Sequence, residues 1–287
     1  MFSEYAPFTT KYFYYILVAV ISFVLFNKFF NWFYRRITPS DESTDPSEKV
    51  DEKLFEDVQE EPALPKDLKH IPYRYIRLPE KEMLSRASEF YQIAAARRTL
   101  RYFSADPVPK EVIREIIRTA GTAPSGAHTE PWSFVVVSNQ TIKSNIRNIV
   151  EQEEKINYRK RMGVKWTIDL SPLRTNWIKE YLTIAPYLIL VFKQTYSTLP
   201  NGKKKIHYYH EMSVSIACGI LITAIQYAGL VTLTSTPLNC GPAIRSLLER
   251  PANEKLVLLL PVGYPAEDAT VPDLQRKPLS EILTEIY

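Results

Sequence analysis

The chain has 287 residues, enough for one sizeable folded domain with appendages, and 45% of them are apolar, so a packed core is expected. A net charge of +4 is too small to mark a nucleic-acid binder. It also conceals a split: residues 41–61 hold ten acids against Lys49 and Lys53, which leaves the remainder basic and suited to an anionic ligand. The two cysteines, Cys218 and Cys240, are far apart and form no CxxC pair; they read as reduced thiols of a cytosolic protein, Cys218 on the apolar face of a helix.

Residues 12–27, YFYYILVAVISFVLFN, carry no charge. As a helix they would span about 24 Å, short of a bilayer's hydrocarbon core. Lys28 can snorkel, however, and the apolar run continues to Tyr34. Aromatic residues gather at both ends, as in interfacial belts, and the bulky NKFFNWFY that follows offers no signal-peptidase site. The sequence therefore predicts a short N-terminal segment (1–11) and a single-pass membrane anchor (12–34). Lys28, Arg35 and Arg36 lie after the core of the span and only Lys11 before it, which places the catalytic body in the cytosol by the positive-inside rule. One glycosylation-type triplet, Asn139-Gln140-Thr141, points the other way. Residues 35–68 are polar, acidic and aperiodic, a disordered tether, and the folded domain occupies 69–287.

Within that domain Met83, Ala87, Phe90, Tyr91 and Ala94 recur at helical spacing, and the helix ends at the arginines of 97–101. Pro109 opens a second helix, with Val112, Ile113, Ile116, Ile117 and Ala120 on its buried face and Gly121 as C-terminal cap. The loop TAGTAPSGAHTEPW is rich in small residues, which lets backbone N–H groups approach a ligand, and leads into a strand at Ser133–Val137. A long charged helix follows from about Thr141 to Met162 with Gly163 as its stop, then an apolar strand at 187–192. Met212, Ile216, Ile220, Ala224 and Ala228 mark the most apolar helix, expected to be central and buried on most sides, with Gly229 as its cap. Strands are expected at 230–235 and 256–262. No GxGxxG opens any of these units, which argues against a dinucleotide-binding Rossmann site.

Three clusters carry chemistry. Arg97, Arg98, Thr99 and Arg101 present guanidinium forks that match phosphate oxygens; taken alone, a solvated helix end where cations meet the macrodipole is the simpler explanation. Thr234, Ser235 and Thr236 offer hydroxyls to a heterocycle or to the cap of a following helix. Glu154 and Tyr158, four apart in EQEEKINYRKRMG, and Lys179 of WIKEY could hold an amino-acid zwitterion, or simply form a solvated face. His207 and His210 lack a third ligand, so no metal site is read. Ser125 lacks a nucleophile elbow.

Together ARRTLR, RTAGTAPSGAHTEPWSFVVV, EEKINYRKRMG, LRTNWIKEYL, STPLNCGP and VGYPAEDATVPDLQRKPL resemble the iodotyrosine deiodinase family of the nitroreductase-like flavoproteins, from about His70 to Pro278. The resemblance implies an α+β, nitroreductase-like FMN-binding fold and an obligate domain-swapped homodimer with FMN between subunits, here preceded by the transmembrane helix. It implies cofactor contacts from Arg97, Arg98, Thr99, Leu100 and Arg101, from Pro124 and Ser125, from Thr234, Ser235 and Thr236, and from Arg276. Thr236 would donate to flavin N5 and favour single-electron steps. Glu154, Tyr158 and Lys179 would clamp the substrate zwitterion and close over its ring, while the backbone N–H of Ala127 would face the phenolate oxygen. Thr99, Leu100 and Ser235 replace the Ser, Val and Thr of vertebrate forms, substitutions that leave the hydrogen-bonding types intact.

The implied activity is reductive dehalogenation of mono- and diiodotyrosine, and of bromo- and chlorotyrosine, to tyrosine and halide. Electrons would come ultimately from NADPH through a partner reductase. General nitroreductases share the flavin segments but lack the clamp. Two other readings stay open at this point: a broader FMN nitroreductase, and a membrane-tethered flavin or amino-acid sensor that regulates a membrane partner.

Overall fold

A computed structural model describes residues 64–287 apart from 66 and 200, together with Tyr15, Ser22, Phe23, Phe26, Asn27 and Lys28. Most of the expected anchor and tether lie outside the described residues. Among the described residues, no helix is long and apolar enough to cross a membrane. The chain divides into two compact units, Met1–Val58 and Gln59–Tyr287, and the second carries the fold described below.

Its strands are β1 (Trp132–Val137), β2 (Tyr187–Gln194), β3 (Tyr196–Thr198), β4 (Lys204–Ile206), β5 (Val231–Thr232) and β6 (Glu254–Gly263). Its helices are α1 (Glu80–Ala96), α2 (Lys110–Ala120), α3 (Gln140–Ile156), α4 (Gly163–Leu170), α5 (Tyr181–Ile184), α6 (His210–Tyr227), α7 (Gly241–Leu247) and α8 (Leu279–Ile282). Four strands form an antiparallel sheet in the order β1-β2-β6-β5, and β3 pairs with β4 in a separate hairpin.

The central strand YLILVFKQ does not alternate between polar and apolar, so both of its faces must be covered. Leu188, Leu190 and Phe192 pack into one core with Ile146 and Val150 of α3, Leu182 of α5 and Ile244 of α7. Ile189 and Val191 enter a second core with Ile113, Ile116 and Ala120 of α2 and Val214, Cys218, Leu221 and Ile225 of α6. The result is helices on both faces of an antiparallel sheet. Its register shifts once, between Val191 and Phe192, whose partners on β6 are Leu258 and Leu256.

Several expectations change. Gly121 is the C-cap of α2 as expected, although at φ −66° it caps the helix in the right-handed region rather than the left-handed one. The charged helix ends at Ile156, passes through a π turn at Asn157–Arg161 and resumes as α4; Gly163, at φ +73°, joins the two rather than stopping the chain. The strand expected at 230–235 pairs regularly only at Val231–Thr232, with an isolated bridge from Ser235 to Leu259.

The largest difference concerns α1 and α6. No residue of α1 is buried, with Phe90 57% exposed. On α6 the buried face is Ser213, Val214, Ala217, Cys218, Leu221 and Ile225, while Met212 is 64% and Ile216 40% exposed. Because α6 is apolar nearly all round, one chain covers only part of it. Both cysteines are free and buried, and burial pushes the Cys218 thiol up to about 11 and the Cys240 thiol up to about 12.

The hairpin is held through His207, which is buried with Nε2 2.5 Å from Ser197 Oγ and Nδ1 3.0 Å from Gln194 O. Burial lowers its pKa from the ordinary value, only partly opposed by the Gln194 carbonyl. The folded pKa therefore lies below the unfolded one, so this contribution to stability is complete above the unfolded value of about 6.5 and declines as pH falls below it. Thermal unfolding between about pH 7.5 and about pH 5.5 should show this loss in the wild type and a smaller one in His207→Gln.

A second test concerns Gly263 at the end of β6, where an added Cβ would stand 2.5 Å from Cδ of Pro186. Gly263→Ala should cost about 1–3 kcal/mol in urea unfolding.

Candidate active site

The arginine segment leaves the end of α1 and runs beside β5, where Thr99 bridges Thr232 in parallel and the Leu100 N–H donates to Thr232 O at 3.2 Å. This pairing fixes the segment to the sheet edge. The Leu100 side chain is buried and its N–H is engaged, so Leu100 anchors the backbone and presents no free group. Arg97, Arg98, Thr99 and Arg101 line a cavity of about 1040 Å³, closed on the other side by Pro272, Leu274, Gln275, Arg276 and Lys277.

Two bonds tie the arginine segment to the chain's late segment. Arg98 Nη2 donates to Pro272 O, and Arg276 Nη2 donates to Arg97 O at 2.9 Å. Thr99, Arg101, Leu173 and Pro272 also line an adjoining cavity of about 430 Å³. Among the described residues, none of the four guanidiniums of Arg97, Arg98, Arg101 and Arg276 is in an ion pair. The Arg97 pKa is lowered by burial and by the neighbouring charges of Arg276 and Arg98. Uncompensated like charges of this kind form a receptor for an anion, and the flat guanidinium forks suit a phosphate.

The second cluster stands at the end of α3. Lys179 Nζ lies 3.6 Å from Glu154 Oε2, with the two side chains only 8% and 12% exposed, and 5.6 Å from the centre of the Tyr158 ring. Tyr158 packs edge-on against Trp166 at 4.7 Å and Trp177 at 6.3 Å. Buried Asn157 donates to Glu154 Oε1 at 3.2 Å and accepts from Arg161 at 3.0 Å, which holds the carboxylate while the π turn carries the chain past it. Burial lowers the Lys179 pKa, against the pull of Glu154, and raises that of the Tyr158 phenol. Arg101 acts electrostatically on Lys179, Tyr158 and Tyr181 alike, so the arginine cradle and this clamp adjoin.

The small-residue loop is strained. Ala127, His128 and Glu130 all have positive φ, at 48°, 53° and 45°, each costing on the order of 1–3 kcal/mol unless its surroundings hold it. The Ser125 hydroxyl accepts from Glu130 N–H at 3.0 Å, and Thr129 Oγ1 donates to Gly126 O at 2.9 Å, which fixes the turn. Gly126 sits in a tight place: a Cβ there would meet Tyr208 O at 3.1 Å. Ala127 is exposed, and its N–H makes no hydrogen bond among the described residues. Thr234 and Thr236 are exposed, while Ser235 exchanges two backbone bonds with Leu259.

Within one chain, then, Arg97, Arg98, Thr99, Arg101 and Arg276 come together, and so do Glu154, Tyr158 and Lys179. Pro124, Ser125, Ala127, Thr234, Ser235 and Thr236 line neither cavity. Trp166, Asn157 and Pro272 were missed by sequence reasoning. Asn157 opens the π turn and Trp166 follows it, where helical periodicity is interrupted, and Pro272 contributes only a carbonyl, so none of them leaves a spacing signal.

The chain matches the Nitroreductase family over residues 94–264. It is 61% identical to an iodotyrosine deiodinase of Danio rerio over 241 residues, which cover 84% of this chain and 80% of that protein. It is 60% identical to iodotyrosine deiodinase 1 of Homo sapiens over 231 residues, 80% of each chain. Its fold is similar to that of an oxidized iodotyrosine deiodinase solved with FMN and 3-iodo-L-tyrosine. That match has a TM-score of 0.57 at 31% identity and covers 66% of this chain and 95% of that one. The chain therefore belongs to the nitroreductase family and, within it, to the iodotyrosine deiodinases.

Proposed function

We propose that this protein is an FMN-dependent reductive dehalogenase of halogenated tyrosines that releases tyrosine and halide. The observation that carries the reading is the nearly buried Glu154–Lys179 pair beside Tyr158, in a chain so similar to the iodotyrosine deiodinases. FMN fits the arginine cradle, where Arg97, Arg98, Arg101 and Arg276 meet no carboxylate among the described residues and would receive its phosphate. Thr99, Pro124, Ser125, Thr234, Ser235 and Thr236 would serve the rest of the cofactor, Thr236 at flavin N5. When bound and reduced, FMN would supply two electrons, which with one proton replace the carbon–halogen bond by carbon–hydrogen and release the halide.

The chain's own residues bind and orient the amino acid. Glu154 accepts the substrate ammonium, and Lys179 and Tyr158 donate to its carboxylate. The pair is neutral when empty and remains neutral when a zwitterion inserts, so no unpaired charge is buried in either state. The Ala127 N–H, which makes no hydrogen bond among the described residues, would donate to the phenolate oxygen and favour charge there. Tyr158 and its two tryptophans would exclude water from the ring.

A homodimer completes the site. The open apolar faces of α1 and α6 border a groove of about 810 Å³ lined by Phe90, Val112, Ile116, Ile220, Ala224 and Tyr227, which a second copy would bury. The partner would also bring its loop and hydroxyl residues to the cradle and hold FMN between subunits. Exposed apolar residues at both ends of the domain, Ile71, Tyr73 and Ile76, and Leu279, Ile282 and Ile286, suit arms exchanged between copies. The uncharged run with aromatic ends supports a single-pass anchor over 12–34, the acidic aperiodic stretch a tether over 35–68, and the flanking-cation bias a cytosolic catalytic domain over 69–287. NADPH would supply electrons through a partner reductase.

The purified holoprotein should be yellow, and with a chemical reductant it should release iodide from 3-iodo-L-tyrosine; a colourless, correctly folded protein without iodide release overturns the reading. Glu154→Gln should raise KM for 3-iodo-L-tyrosine about 10–100-fold, the loss of one charge-assisted bond or slightly more, while flavin absorbance per subunit stays unchanged.

A further inference from the structure

Four polar residues of α3 that the mechanism above does not use, Gln140, Lys143, Arg147 and Glu151, stand three or four positions apart. They form one stripe that ends at Glu154, and every one of them engages the segment from Lys179 to Ala185. Gln140 Nε2 donates to Thr183 O at 3.2 Å. Lys143 is buried, and its Nζ donates to Ala185 O at 2.8 Å and Thr183 O at 3.3 Å, which caps the end of α5. Arg147 Nη1 donates to Thr183 Oγ1 at 3.1 Å and its Nε to Glu151 Oε1 at 2.7 Å. That same Glu151 oxygen accepts the backbone N–H of Lys179 at 2.7 Å.

Lys179 itself belongs to no helix or strand; its ammonium donates to Asn176 O at 2.5 Å. Its backbone therefore needs an external anchor, and Glu151 is the stripe residue that holds it. We propose that Glu151, oriented by Arg147, is a positioning residue that presets Lys179 against Glu154 for the amino-acid part of the substrate. Glu151 touches no substrate in this scheme. Its effect must consequently be specific to ligands that use the Lys179 ammonium, which distinguishes it from a residue that merely stabilises the fold.

The inference rests on the dehalogenase reading, and the test separates the two. In the reduced full-length holoprotein, KM is measured for 3-iodo-L-tyrosine and for 2-iodophenol, which keeps the ring and halogen but has no zwitterion. Glu151→Leu should raise KM for 3-iodo-L-tyrosine about tenfold with kcat and the KM for 2-iodophenol unchanged. Glu151→Gln, which keeps an acceptor for the Lys179 N–H, should restore most of the loss. If Glu151→Leu does not fold, Arg147→Leu leaves the acceptor present but unheld, and the same selective rise is expected there. Unchanged KM for 3-iodo-L-tyrosine, or an equal rise for both compounds, overturns the assignment while the functional reading stands. No iodide release by the wild type overturns both.

Discussion

Two strands with no polar face constrain everything else in this domain. β2 and β6 pair along most of their length and are apolar on both sides, so a layer of helices is required above and below them. One layer, α2 and α6, covers Ile189 and Val191. The other, α3, α5 and α7, covers Leu188, Leu190 and Phe192. The second layer brings the end of α3 beside the segment before α5, and Glu154 meets Lys179 as a consequence of how the sheet is covered. The cradle is placed by the same sheet, since the arginine segment follows the β5 edge through Thr99 and Leu100.

Charge is distributed differently in the two halves of the proposed site. The clamp is self-neutralising, an acid and an amine nearly buried together; without each other they would face a heavy desolvation cost. The cradle is the reverse, with four guanidiniums that among the described residues have no carboxylate partner, so a bound anion would stabilise it. Arg101 lies where the two meet and acts on Lys179 and Tyr158. An anionic cofactor in the cradle would thus screen a positive charge close to the clamp, so that cofactor and amino acid would influence one another through Arg101.

Much of this was legible in the residues. The buried face of α2, the apolar run of β2, the cap at Gly229 and the reduced cysteines follow from periodicity and composition, and the arginines of 97–101 do converge on Arg276. What the sequence could not reveal came from three physical causes. Helical periodicity breaks at the π turn, so α4 and the tryptophans around Tyr158 gave no pattern. Short pieces such as the strand at Val231–Thr232 depend on pairing with β6 rather than on propensity. An apolar helix announces burial but not by what: α6 was expected to be central, yet its Met212 and Ile216 face outward in one chain. Spacing alone likewise could not decide between a solvated face and a clamp at Glu154, Tyr158 and Lys179; the near-burial of Glu154 and Lys179 rules out the solvated face.

The two cysteines add a practical corollary. Both thiols are shielded and resist ionisation, and the thiolate is the form that maleimides and iodoacetamides attack. A single cysteine engineered onto the outer surface would be labelled almost alone, without first preparing a cysteine-free background. Spectroscopic distance reporters could then be installed along the exposed C-terminal segment, at Ile286 for example, with both native sulfurs left in place.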